Sequence, residues 1–158
     1  RVRSSAASDV YKRQTSSRVH TINIILLILL AVQFLVGMLV NLYVQVPSVH
    51  PGAQAPEYFS GVFQGVAWAV VNAPLWLQIH AIVGLLLFIG SIILLGLAIA
   101  ARQRAWIIVS VVGFLGIIGA GFNGASFMNY GHDFSSLLMA IGFLLAAIPY
   151  TIGLTLAR

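Results

Sequence analysis

The sequence predicts an all-α fold, a polytopic membrane four-helix bundle with both termini cytoplasmic and a short extracytoplasmic interfacial helix between the first two spans. Three observations carry that expectation. Hydrophobic residues make up 60% of the chain and charged residues 7%, against about 45–50% and about 25% in soluble proteins. Four apolar runs, 22–46, 75–101, 105–128 and 134–157, each match the roughly 20 helical residues that cross a hydrocarbon core. Lipid admits only helices or closed barrels, and each run is too long for a strand. Finally, Arg18, Arg102, Arg104 and Arg158 fall on one side of the four-span arrangement while Glu57 and Asp133 fall on the other. Positive charge stays in the cytoplasm, which sets the orientation and places the chain in the inner (cytoplasmic) membrane.

The first residues are read separately. Ser4–Gln14, SSAASDVYKRQ, back-translates into a common transposase sequencing adaptor read in frame, and the first Met is Met38. Arg1–Gln14 is therefore expected to be a technical scar, with residues 15–158 forming a single transmembrane domain. The formal net charge is +5, but Arg1, Arg3, Lys12, Arg13 and Asp9 belong to that segment. Without them four arginines face two acids, a net +2, and the basic balance carries no argument for nucleic acid. The chain has no cysteine, which removes disulfides, thiolate metal sites and cysteine nucleophiles.

Between the first two spans, PSVHPGAQAPE (Pro47–Glu57) is rich in turn formers and free of Lys and Arg. YFSGVFQGVAWAVV follows, with Phe59, Val62, Phe63, Val66 and Val70 on one helical stripe and Ser60 and Gln64 off it. It is too short to span. Tyr58 and Trp68 suit a membrane interface, so it is expected as a helix on the outer leaflet or capping the bundle.

The first span carries Gln33, Gly37, Asn41 and Gln45 at four-residue spacing, one helical face. The second carries Gln78, His80, Gly84 and Ser91, and the third a small-residue row of Val112, Gly116, Ala120 and Gly124. Ser135, Met139, Gly142 and Ala146 mark a face of the fourth. Small residues let helices approach closely in lipid, so Gly116, Ala120 and Gly124 are seams for a helix of this chain or of another membrane subunit. In the predicted topology the polar side chains gather in the outer half, and the inner half reads as almost purely apolar. An amide left unpaired in lipid costs several kcal/mol. Gln33, Asn41, Gln78, His80, Asn123, Ser126, His132 and Ser135 are therefore expected either to bond one another or to line a polar pocket open to the outside. His20 and His50 are expected to be solvated.

His80 and His132 lie at similar depth on neighbouring spans, as axial haem ligation requires. With Gln33-x3-Gly37, His80 and His132 in these positions, residues 15–158 resemble one half of the haem A synthase family, and other four-helix b-haem membrane proteins, in architecture more than in motif. The pattern departs from the family at Ala81, where the family has arginine, and at Gly116-Ile-Ile-Gly119, where it has a second Gln-x3-Gly. The resemblance implies a b-type haem between His80 and His132, lined by Gly84, Phe88, Met139 and Phe143, and an electron-carrying or haem-handling role. The NGASF segment, Asn123–Phe127, is also similar to one in small bacterial membrane proteins, a likeness that implies no activity.

Other chemistry finds no support. There is no phosphate-cradling glycine loop, and the two acids, Glu57 and Asp133, are not a pair. Ser135, His132 and Asp133 sit on one turn and point in different directions, unlike a catalytic triad. A non-catalytic membrane protein with a polar outer pocket for a small molecule or partner is the first expectation; a b-haem protein ligated by His80 and His132 is the alternative.

Overall fold

A computed structural model describes the backbone of residues 2–156 and the side chains of residues 16–156. Arg158 and the side chains of the Arg1–Gln14 segment lie outside the described residues. Helix α1 spans Val2–Tyr43, α2 Tyr58–Val71, α3 Leu75–Ala101, α4 Arg104–Tyr130 and α5 Asp133–Gly153. Four of them hold a stretch long and apolar enough to cross a membrane: Ser16–Tyr43, Leu75–Ala101, Arg104–Tyr130 and Asp133–Gly153.

Local chemistry sets the helix ends. α1 stops short of the expected limit because Pro47 disfavours helix in the residue before it. The Glu57 carboxylate caps α2, accepting from the Ser60 N–H at 2.7 Å. Pro74 opens α3, where a missing N–H costs nothing. α3 turns back into α4 through Arg102 in the left-handed region, its N–H on the Ile99 carbonyl. Gly131, at φ 69°, ends α4 with its N–H on Phe127, the position where glycine avoids the penalty on a side chain. α5 begins directly after, with Asp133 in its first turn, where a carboxylate complements the helix dipole.

The four long helices alternate in direction around a ring: α1 against α3, α3 against α4, α4 against α5, and α5 back on α1, while among the described residues the backbones across each diagonal stay apart. α2 lies over one end, against α3 and α4. That end is called the capped end below; the other, with Arg18, Arg102 and Arg104, is the arginine end. The outward faces are Leu and Ile, among them Ile28, Leu35, Leu86, Ile93, Leu115 and Ile148, all exposed. Such a surface is stable against hydrocarbon and not against water.

The closest pair is α4 with α5, and the small-residue row explains it. A Cβ on Gly116 would lie 2.6 Å from the Ala146 nitrogen and the Gly142 carbonyl oxygen; one on Gly142 would lie 2.6 Å from the Ala120 nitrogen. The two backbones are in contact. The Gly116–Ala120–Gly124 seam is thus filled by α5 of the same chain, with Met139 Sδ over Gly124.

The sequence left the inward face of α2 open, and one expectation needs correction. The inward face of α2 is Gly61, Val62, Gly65 and Ala69, whereas Phe59 and Phe63 of the predicted stripe point outward. Bulk does not mark the inside here, because lipid accepts phenylalanine and a close backbone approach requires glycine. Nor is the arginine-end half purely apolar. Asn23, Ser91, Ser110 and Tyr150 are fully buried in it. The Tyr150 ring crosses onto Gly113, where any Cβ would collide with it. Asn23 Nδ2 donates to the Tyr150 carbonyl at 2.8 Å. That carbonyl is free because the Leu154 N–H turns to Thr151, so an α1 side chain caps the last turn of α5.

Candidate functional site

At the capped end the structure separates two groups of polar residues that the sequence had placed together. The first is a seam between α1 and α3. Gln33 Nε2 lies 3.2 Å from His80 Nε2, both residues half-buried. Each stands over the other helix's glycine: a Cβ on Gly37 would sit 3.0 Å from His80 Cε1, and one on Gly84 would sit 3.4 Å from Gln33 Nε2. The four-residue spacing in both helices makes this reciprocal fit possible. Gln33 donating to Nε2 puts the remaining ring hydrogen on Nδ1. Nδ1 and Gln33 Oε1 are both buried without a hydrogen-bond partner. One acceptor and one donor are left at mid-helix in an apolar wall.

The second group fastens the cap. Asn129, 3% exposed near the end of α4, donates from Nδ2 to the Gly61 carbonyl at 2.9 Å. Its Oδ1 lies 3.1 Å from His50 Nε2, and its backbone carbonyl accepts from Gln54 at 3.1 Å. His50 Nδ1 is 2.9 Å from the Pro47 carbonyl, and its ring stacks on Trp68 at 4.5 Å. Both ring nitrogens thus have an oxygen within hydrogen-bond distance. Gly65 makes room for the amide, since a Cβ there would overlap Asn129 Oδ1. Gly52, at φ 92°, sets the Pro47–Glu57 link down on the backbone of Gly61 and Gly65. Tyr130 Oη adds a bond to the Ala55 carbonyl at 3.1 Å. His50 is therefore a clamp, not a solvated loop residue. His20, also expected in water, is half-buried with Nδ1 enclosed and unpartnered.

The other expected pocket residues do not converge. Asn41 is exposed on α1. Gln78 bonds back to the Val71 carbonyl at 2.8 Å. Asn123 donates to the Gly119 carbonyl of its own helix. Ser126 and Ser135 are buried and bond each other at 3.3 Å across α4 and α5. His132 caps α5 by its backbone and is exposed, stacked on Tyr130. It lies at the head of α5, diagonal to α3 and His80. Phe88 pairs with Phe114 and Phe143 with Phe34. A porphyrin held by His80 and His132 would require both rings, and these aromatic pairs, to leave their contacts.

Among the described residues no cluster of three His, Asp or Glu could hold a metal ion. The best-formed concavities are shallow and lie elsewhere. One, at the arginine end, is lined by Ser17, Arg18, Thr21, Ile22 and Leu97; the other runs along α2 beside Trp68 and Gln64. Comparison with known families, curated proteins and solved structures finds no match. Four apolar helices around a tight antiparallel ring give the chain the build of a multi-pass integral membrane protein.

Proposed function

We propose that this is a non-catalytic multi-pass membrane protein, with both termini cytoplasmic and the α2 cap outside, that binds a small hydrogen-bonding molecule at the Gln33–His80 seam. The observation that supports the reading is that Gln33 Oε1 and His80 Nδ1, on two side chains in contact through their Nε2 atoms, are both buried without a partner. A buried amide oxygen without a partner costs about 1–3 kcal/mol, and a ligand offering one donor and one acceptor relieves it. The serines and Asn129 support the bundle instead, since their bonds are spent on protein partners. The placement of Arg18, Arg102 and Arg104 at one end supports the orientation. A reporter fused after Arg158 is expected in the cytoplasm and one inserted at Gln54 outside; external signal from both overturns that topology.

Reactivity of the seam tests the site. Diethyl pyrocarbonate applied to the purified protein in neutral detergent is expected to modify His80, more slowly than the exposed His132, as read by peptide mass spectrometry. Complete protection of His80 while His132 reacts shows a closed packing contact and removes the binding reading. The same sample is expected to show no Soret band. A band that disappears in His80→Ala replaces the proposal with b-haem ligation.

A further inference from the structure

We infer that the groove at the arginine end, between residues 17–22 of α1, where its membrane-length stretch begins, and the last turns of α3, binds the headgroup phosphate of an anionic phospholipid, with Arg18 as its counter-ion. The groove is built as a headgroup site is. Arg18 is exposed at its mouth, the hydroxyl residues Ser17 and Thr21 stand beside it, and Ile22 and Leu97 form an apolar floor. The lining descends from Ser17 to Ile22, about 7 Å along a helix, the depth over which a phospholipid passes from phosphate to acyl chain. Below it the outward faces of α1 and α3 continue as exposed Ile25 and Ile93, a surface for the chain itself.

Charge complementarity favours an anion. The two carboxylates among the described residues, Glu57 and Asp133, cap α2 and open α5 at the far end. With 27 residues in α3 that end lies about 40 Å away, several times the roughly 8 Å screening length at physiological salt. Arg18 therefore has no carboxylate among the described residues to pair with. A guanidinium presents a planar fork suited to two phosphate oxygens. Thr21 Oγ1 is committed as a donor to the Ser17 carbonyl at 3.0 Å, which leaves Arg18 as the charged donor at the mouth. Free phosphate would use the fork but gain nothing from the Ile22–Leu97 floor, so the lipid is the better occupant. Arg102 and Arg104 lie on the α3–α4 turn and do not line the groove.

The test is a thermal-unfolding titration of the full chain in neutral detergent with phosphatidylglycerol, phosphatidylcholine or inorganic phosphate. Phosphatidylglycerol is expected to raise the midpoint in a saturable way, with little effect from the other two. Arg18→Gln, an exposed change, should weaken the apparent affinity for phosphatidylglycerol about fivefold, the worth of one guanidinium at a charged bilayer surface. Arg102→Gln/Arg104→Gln should leave it nearly unchanged. Leu97→Trp, which fills the floor without altering charge, should abolish the saturable shift. An equal shift with phosphatidylcholine, an equal shift with phosphate, or loss in the Arg102/Arg104 variant with retention in Arg18→Gln each overturns the assignment.

Discussion

Gly142→Val is expected to unfold the α4–α5 half of the bundle, or to lower its stability by about 3 kcal/mol, the upper part of the overpacking range. The reason is where the added atoms go. A Cβ at Gly142 meets the Ala120 nitrogen at 2.6 Å and the Gly116 carbonyl oxygen at 2.7 Å. These are backbone atoms held by their own helical bonds, so no side-chain rotation relieves the overlap. The helices must separate, and with them Tyr150 leaves Gly113 and Ser135 leaves Ser126. Gly119 and Gly121 in α4 provide an internal control, because a Cβ at either meets nothing within 4 Å. Gly119→Ala and Gly121→Ala should be neutral or stabilising by up to about 1 kcal/mol, the helix-propensity gain of alanine over glycine. Thermal unfolding in detergent reads all three. A Gly142→Val protein as stable as the parent would show that the α4–α5 backbones are not in contact.

The same contrast shows what the sequence could reveal. The limits of α3 and the existence of α2 were legible because prolines, polar turns and unbroken apolar length are local signals. The Gly116–Ala120 row was legible as a seam because small residues at four-residue spacing have no other use on an apolar helix. The inward face of α2 was not legible, because the stripe of Phe59, Val62, Phe63, Val66 and Val70 suits a lipid-facing side as well as a bundle-facing one. In lipid Phe59 and Phe63 can face out, and Gly61, Gly65 and Ala69, also four apart, mark the contact. Asn23 escaped notice because it opens the first apolar run and looked like a boundary residue; only the fold shows that the last turn of α5 ends beside it. Gln33 and His80 stood out in the sequence as polar groups on marked faces. Their pairing with each other, in place of Asn41, depends on the register of α1 against α3, which no residue type encodes. Asn129 is the plainest limit. It lies between Ser126 and His132, both expected as pocket residues, but its partners Gly61 and His50 are 68 and 79 residues away.

That separation makes Asn129→Leu the most informative single change at the capped end. Leucine keeps the branching and the number of side-chain heavy atoms and removes both polar contacts, leaving the Gly61 carbonyl and His50 Nε2 without partners. Each buried polar group so orphaned costs about 1–3 kcal/mol, and the two together about 3 kcal/mol. The loss should be local, because α1, α3, α4 and α5 hold one another through contacts that do not pass through Asn129. The cap is therefore expected to lift while the four spans stay folded. Limited proteolysis between Pro47 and Glu57 should accelerate by about two orders of magnitude, the factor that 3 kcal/mol sets on a local opening equilibrium, while the main unfolding transition moves little. Gly65→Ala reaches the same result by a different route, since its Cβ would overlap Asn129 Oδ1 and displace the amide without removing any donor or acceptor from the chain. Ser126→Ala is the contrasting case: it removes one long hydroxyl–hydroxyl bond, 3.3 Å, worth about 0.6 kcal/mol between membrane helices, and should leave the link protected. If the link in Asn129→Leu is cut no faster than in the parent chain, the cap is held by its apolar contacts around Ala69, Ala73 and Leu77, and the Asn129 clamp contributes nothing to it.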